Sequence, residues 1–303
     1  SNQNLTVDSG TIGATTANLL AATTTGTVTA SIDTTATIEG LKTLTGTNAY
    51  TIVINSGDAS ALATDLIAID NGTSIAVNAS EVANITGSFT DLVNLYSSSG
   101  IGITGLGDES LYASGDLSVG QANILDALTT GSVTGSIDPN ERVSSLTSLT
   151  GTGNAYTITI SASDATGITA LEFNTINQAT TEPVDLTNIT ALAASSLNDL
   201  DTLQTSIISN EFSNGSGLTT IAVSDTSVDA TLLDTVIDRF DFINGVNTTE
   251  MTLASGATIE VNAAEVVPMI ADETAGRLTI VDQPITVTDP ITVDEIKDIL
   301  KKL

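Results

Sequence analysis

The stretch Ala17-Asn18-Leu19-Leu20-Ala21-Ala22-Thr23-Thr24-Thr25-Gly26-Thr27-Val28-Thr29-Ala30-Ser31-Ile32 returns 105 positions later as Ala122-Asn123-Ile124-Leu125-Asp126-Ala127-Leu128-Thr129-Thr130-Gly131-Ser132-Val133-Thr134-Gly135-Ser136-Ile137. The echo runs on. Leu41, Leu44, Thr45, Gly46 and Thr47 match Leu146, Leu149, Thr150, Gly151 and Thr152, and after the inserted Gly153, Asn48-Ala49-Tyr50-Thr51-Ile52 matches Asn154-Ala155-Tyr156-Thr157-Ile158. Residues 11–54 are therefore duplicated at 117–160, and repetition of this kind governs how the rest of the chain is read.

Within the long repeat lies a shorter one of about 21 to 33 residues, near the period of stacked repeat units. Each unit carries apolar residues three or four apart, then a glycine or small polar break, then a brief alternating β-branched run. The first part reads Ile38, Leu41, Leu44; Leu62, Leu66, Ile69; Phe89, Leu92, Leu95; Leu125, Leu128; Val143, Leu146, Leu149; Leu197, Leu200, Leu203; and Leu233, Val236, Ile237, Phe240. Such spacing puts these side chains on one face of a helix. The second part reads Thr27–Ile32, Tyr50–Ile54, Thr73–Val77, Gly100–Ile103, Ser132–Ile137, Tyr156–Ile160, Thr219–Val223 and Ala257–Val261. Alternation of apolar and small polar residues is the mark of a half-buried strand.

Helix, turn and strand recurring in one sense make the strands parallel, because each short helix is the return connection. The expected fold is α/β: a parallel β/α-solenoid of about ten short helix–strand coils, in which neighbours bury what one unit cannot. Residues 1–283 form the repeat region. Gly26, Gly46, Gly131 and Gly151 read as helix C-caps with positive φ. Gly105–Glu109 and Asn210–Gly217 read as loops budding from it. Residues 284–303 differ: Pro284-Ile285-Thr286-Val287 suits an edge strand. Thr292 and Glu295 then make a capping box for a closing helix that carries Ile296, Ile299, Leu300 and Leu303 on one face.

Composition narrows the function. Among 303 residues, 36 acidic side chains face 7 basic ones, for a net charge of −29, and His and Cys are both absent. Imidazole chemistry, thiol nucleophiles, disulfides and cysteine-rich zinc sites are excluded. Four of the seven cations, Arg277, Lys297, Lys301 and Lys302, lie in the last 27 positions, so nucleic acid is a poor partner. No apolar run is long enough to cross a membrane as a helix. The opening Ser1-Asn2-Gln3, without Met, reads as a mature or excised piece.

The acids permit two kinds of site. Paired carboxylates can hydrolyse glycosides, but 36 acidic residues make proximity of some pair uninformative, so the reading is non-enzymatic, with no catalytic residue assigned and no required cofactor. Calcium takes oxygen ligands, and two groups are candidates: Asp234, Asp238 and Asp241 at helical spacing, and Asp108-Glu109 in a glycine-rich turn. Tyr50, Tyr156, Phe89, Phe173, Phe240 and Phe242 read as core packing rather than a carbohydrate platform.

At Leu146–Ile160, and at Gly102-Ile103-Thr104-Gly105-Leu106-Gly107-Asp108-Glu109, the chain resembles repeat segments of giant secreted surface proteins of cyanobacteria and other marine bacteria. The likeness spans most of residues 11 to 265. It implies an extracellular role at the bacterial cell surface, structural or adhesive, and carries over no catalytic residue. The expectation is a structural protein forming a surface layer, sheath, filament or stalk by head-to-tail or lateral self-association. A glycan- or surface-binding adhesin module and a virion fibre or decoration protein are the alternatives.

Overall fold

The computed structural model describes residues 2–98, 102–164, 166–189, 191–214, 218, 220–244, 249–290, 292–294 and 297. The protein is mixed α/β, with ten α-helices among the described residues. By internal contacts it divides into two compact units, one of residues 1–137 and 153–156, the other of residues 138–152 and 157–303.

The first unit runs β1 (Leu5–Ile12), α1 (Ala14–Thr23), β2 (Val28–Ile32), α2 (Ile38–Leu41), β3 (Ala49–Thr51), β4 (Ser60–Leu62), α3 (Ala63–Asn71) and β5 (Val77–Asn78). It continues through β6 (Asn84–Ser88), α4 (Phe89–Ser97), β7 (Ile103–Thr104), β8 (Ser110–Leu117), α5 (Val119–Asp126) and β9 (Val133–Ile137), and ends within β10 (Ala155–Thr157). Its sheets have the orders β1-β2-β3, β10-β9-β8-β6-β4 and β5-β7. All the pairings set in register are parallel, and the partner lies 20 to 26 residues further on: Thr29 faces Ala49, Leu5 faces Val28, and Asn84 faces Ser110. A strand thus meets its counterpart in the next helix–strand segment, and the helix between them serves as the crossover.

The second unit holds α6 (Val143–Leu146), α7 (Ala170–Gln178), β11 (Val184–Asp185), α8 (Leu197–Ile208), β12 (Phe212–Ser213), β13 (Thr220–Val223) and β14 (Ser227–Asp229). After these come α9 (Ala230–Asn244), β15 (Glu250–Leu253), β16 (Thr258–Val261), α10 (Val266–Thr274), β17 (Leu278–Thr279) and β18 (Ile285–Val287). The same rule holds here. Sheets β11-β12, β13-β15-β17 and β14-β16-β18 are parallel, and partners are 26 to 31 residues apart.

Helices α3 and α4 form where the spacing of apolar residues foretells them, and the helices bury an apolar face: Ala63, Leu66 and Ile69 on α3, Leu92 and Leu95 on α4, Val119, Ala122 and Leu125 on α5. Three start with capping boxes, Ser88 with Asp91, Ser118 with Gln121 and Thr169 with Glu172, in which side chain and backbone satisfy each other at the helix mouth. Alternate strand residues such as Val28, Leu111, Ile221 and Ile259 are fully buried. Each contributes about 1.5–3 kcal/mol of hydrophobic stabilisation.

The two copies of the duplication share their polar anchors. The Val28 amide donates to Asn48 Oδ1 at 2.9 Å, and the Val133 amide to Asn154 Oδ1 at 2.8 Å. Buried Tyr50 donates its hydroxyl to the Ala17 carbonyl at 3.2 Å, and Tyr156 to that of Ala122 at 3.4 Å. Both β1 and β8 slip register midway, at Gly10 and Gly115, which have φ of 80° and 83°. A bulge needs a residue tolerant of positive φ, and glycine is that residue.

Several expectations need amending. Gly46 and Gly151 do have positive φ, but they lie beyond the caps, which fall at Lys42 and Thr147. Gly26 and Gly131 lack positive φ and serve a different purpose: a Cβ on Gly26 would lie 2.5 Å from the Gln3 carbonyl oxygen, and one on Gly131 2.4 Å from that of Glu109. They are glycine because backbone passes against backbone. Nor does 210–214 bud outward, since Phe212-Ser213 pairs in parallel with Val184-Asp185. Gly105 packs on the Ser80 backbone, where a Cβ would come within 2.7 Å. At the end of the chain, β18 forms as expected, but Glu295, Ile296, Ile299, Leu300 and Leu303 lie outside the described residues.

Candidate functional site

The acids singled out on α9 do converge, and what they converge on is a guanidinium. Spacing of three and four along α9 brings Asp234, Asp238 and Asp241 toward the segment that follows α10, where Arg277 is held by its own backbone: its amide donates to the Asp272 carbonyl, and its carbonyl accepts the Met251 amide. Arg277 Nη1 donates to Asp238 Oδ1 at 2.8 Å and to Asp241 Oδ2 at 3.0 Å, while Nη2 bonds the Asp272 carboxylate. Asp241 and Asp272 are buried, and Asp238 is exposed. Asp234 lies close enough for its charge to act on Asp272.

The electrostatics follow. Burial pushes the Asp272 carboxyl up to about 6, with the Asp234 charge adding to it and Arg277 opposing it. Arg277 is held above its ordinary value: burial works against its charge, but the bonds from Asp238 and Asp241 and the charge of Asp272 outweigh it. The cluster is thus a group of carboxyl groups gathered about one internal cation, Arg277. Its members bond one another and the backbone, the Thr249 amide reaching Asp241 Oδ1 at 3.3 Å.

The second candidate, Asp108-Glu109, sits just before β8. Glu109 is buried, only 2 % exposed, and its Oε2 accepts the backbone amides of Gly107 at 2.8 Å and Asp108 at 3.0 Å. Its carbonyl accepts the Thr129 hydroxyl at 2.6 Å. Its other carboxylate oxygen, Oε1, is buried with no hydrogen-bond partner. Glu109 and the exposed Asp108 line a pocket of about 170 Å³ together with Ser80, Glu81, Val82 and Ala83. Among the described residues no three acidic side chains converge as a ready-made metal-ligand set.

Asp272 and Arg277 escaped the sequence reading as site residues. The available signal was rarity: one of only three arginines in an acidic chain, five positions after an aspartate on an apolar helix, is a natural internal counter-ion. Of the aromatic residues expected in the core, Tyr50, Tyr156, Phe173 and Phe240 are fully buried, whereas Phe89 is half-buried. No helix among the described residues is long and apolar enough to cross a membrane. No family model, no curated protein and no solved structure matches this chain.

Proposed function

We propose that this chain is a non-enzymatic structural module, a parallel β/α-solenoid that self-associates into a layer, sheath, filament or stalk at the outer surface of a bacterium. The solenoid reading rests on the parallel registers, in which each strand meets one 20 to 31 residues later, and on helices that pack on the next helix in sequence, α3 on α4 and α8 on α9. A stack of short coils can stay rigid without a large globular core, because each coil buries the face of its neighbour. Asparagine, threonine and acidic side chains coat it.

The observation that carries self-association is the edge of β1. This eight-residue strand pairs with β2 on one side only, and among the described residues no strand covers its other edge. An open row of backbone donors and acceptors is a template for another strand. The fitting occupant is a further parallel strand of the same repeat type, which a second copy can supply because its repeat period already matches. Light scattering and electron microscopy over a range of concentrations, with and without calcium, test the reading. Growing oligomers or fibres are expected, and monomers under every condition overturn it.

A further inference from the structure

We propose that Glu109 is the central ligand of a divalent cation site, fitted to calcium, in the pocket between residues 80–83 and 107–109. The starting point is the unpartnered Oε1 of Glu109. A buried carboxylate oxygen without a donor is costly, since desolvating a charged acceptor is repaid only by a proton donor or a cation.

The same backbone hook occurs a second time, and shows what is missing. Gln283 Oε1 accepts the amides of the two residues before it, Val281 at 2.7 Å and Asp282 at 3.1 Å, as Glu109 Oε2 does with Gly107 and Asp108. The remaining amide group of Gln283 is a donor, and its Nε2 reaches the Ala254 carbonyl at 3.2 Å. Where Gly131 packs against the Glu109 carbonyl, its counterpart Gly26 packs against that of Gln3, which likewise accepts a threonine hydroxyl, that of Thr24. Glutamate at this position replaces a donor with a second acceptor. Positive charge must then come from outside the hook, because no lysine or arginine lines the pocket.

The pocket supplies what a hard cation wants. Glu109 is joined there by Asp108, Glu81 and the hydroxyl-bearing Ser80, and calcium accepts an irregular shell of carboxylate, hydroxyl, carbonyl and water oxygens. A chain of net charge −29 concentrates divalent cations at its surface. Bound here, the ion ties the segment of residues 80–83 to the turn at 107–109, whose backbone is already clasped by Thr129 and by the close approach of Gly131. The site does not depend on assembly, and its test reads the single chain.

The test is hydrogen exchange of the whole chain, without calcium and with calcium chloride at about 5 mM, above the millimolar-or-tighter affinities of extracellular modules. The amides of Gly107 and Asp108, which hold Oε2, are expected to exchange at least about tenfold more slowly with calcium, and Glu109→Gln, which restores the donor, is expected to abolish that difference. No calcium-dependent slowing in the unaltered chain, or equal slowing in Glu109→Gln, overturns the proposal. If Glu109→Gln does not fold, Asp108→Asn serves: a loss of about tenfold or more in calcium affinity supports the site, and unchanged affinity overturns it.

Discussion

The carboxylate of Asp58 accepts the backbone amide of Ile38 at 2.9 Å, so an acid from one segment caps the first turn of α2 in the segment before it. The arrangement recurs. Asp164 takes the Val143 amide at 3.0 Å at the start of α6, and Asp225 the Leu197 amide at 2.7 Å at the start of α8, while Asp289 takes the Ala263 amide at 2.8 Å in the turn before α10. A helix N-terminus has unsatisfied donors and a partial positive charge, so an acid supplied from the following segment satisfies both and locks the spacing of the two. Part of the acidity of the chain is thereby structural. Asp58→Ala is expected to destabilise the protein by about 1 kcal/mol, within the range for lost N-caps, with Asp58→Asn costing less; urea unfolding followed by circular dichroism reads both.

Gly131 separates two uses of glycine. Its Cβ would lie 2.4 Å from the Glu109 oxygen, so Gly131→Ala must push backbone from backbone and is expected to cost about 1–3 kcal/mol. Gly40, inside α2, would meet only the Thr37 hydroxyl at 3.7 Å. Gly40→Ala is expected to raise stability by about 0.5–1 kcal/mol, since alanine loses less backbone freedom in a helix. Opposite signs in thermal or urea unfolding confirm the distinction, and equal effects refute it.

Asp272 makes stability depend on pH. Its folded value, raised to about 6, stands above the ordinary carboxyl value, so the folded chain keeps a proton that the unfolded chain releases. The resulting stabilisation is full below about pH 4 and is lost as pH rises through about 6. Asp272→Asn is expected to flatten the change in urea midpoint between pH 4 and 7. A midpoint with the same pH dependence in the variant would rule Asp272 out as its source.

Arg277→Gln removes the one guanidinium that Asp238, Asp241 and Asp272 share. Breaking a buried ion pair from one side leaves charge uncompensated, and the expected cost is about 3 kcal/mol at neutral pH. Because protonating the carboxyl groups relieves the repulsion, the loss is expected to shrink near pH 4. Unfolding curves of the variant at the two pH values check this.

The phenols of Tyr50 and Tyr156 are both raised by burial, and the charge of Asp126 adds to the effect at Tyr156. Ultraviolet titration of the folded chain is expected to show the Tyr50 and Tyr156 phenols ionising late and only as the protein unfolds. Tyr50→Phe removes the bond to the Ala17 carbonyl and is expected to cost about 1 kcal/mol.

How much of this was legible beforehand depended on range. Leu92 and Leu95, or Val143 and Leu146, announce helices because three-residue spacing is a local property of the chain. Other pieces were missed: α7 and α10 among the helices, and β4, β6, β8, β11, β12, β14, β15 and β17 among the strands. The bonds of such a strand lie wholly in the neighbouring segment. The acids on α9 were recognisable as a group from their spacing, but their partner was not, since Arg277 lies 36 positions from Asp241.

Repetition alone determined that helix and strand alternate in one sense and that strands run parallel, because a short helical return permits little else. Tertiary structure decided what each polar residue meets: that Asp58 caps a helix, that Arg277 stands among the α9 acids, that Gly131 is glycine for closeness rather than for φ, and that Glu109 keeps one oxygen without a donor. Periodicity is written along the chain within a few residues, whereas each of these facts is a distance between segments twenty or more positions apart or a buried atom's surroundings, which exist only once the register is set.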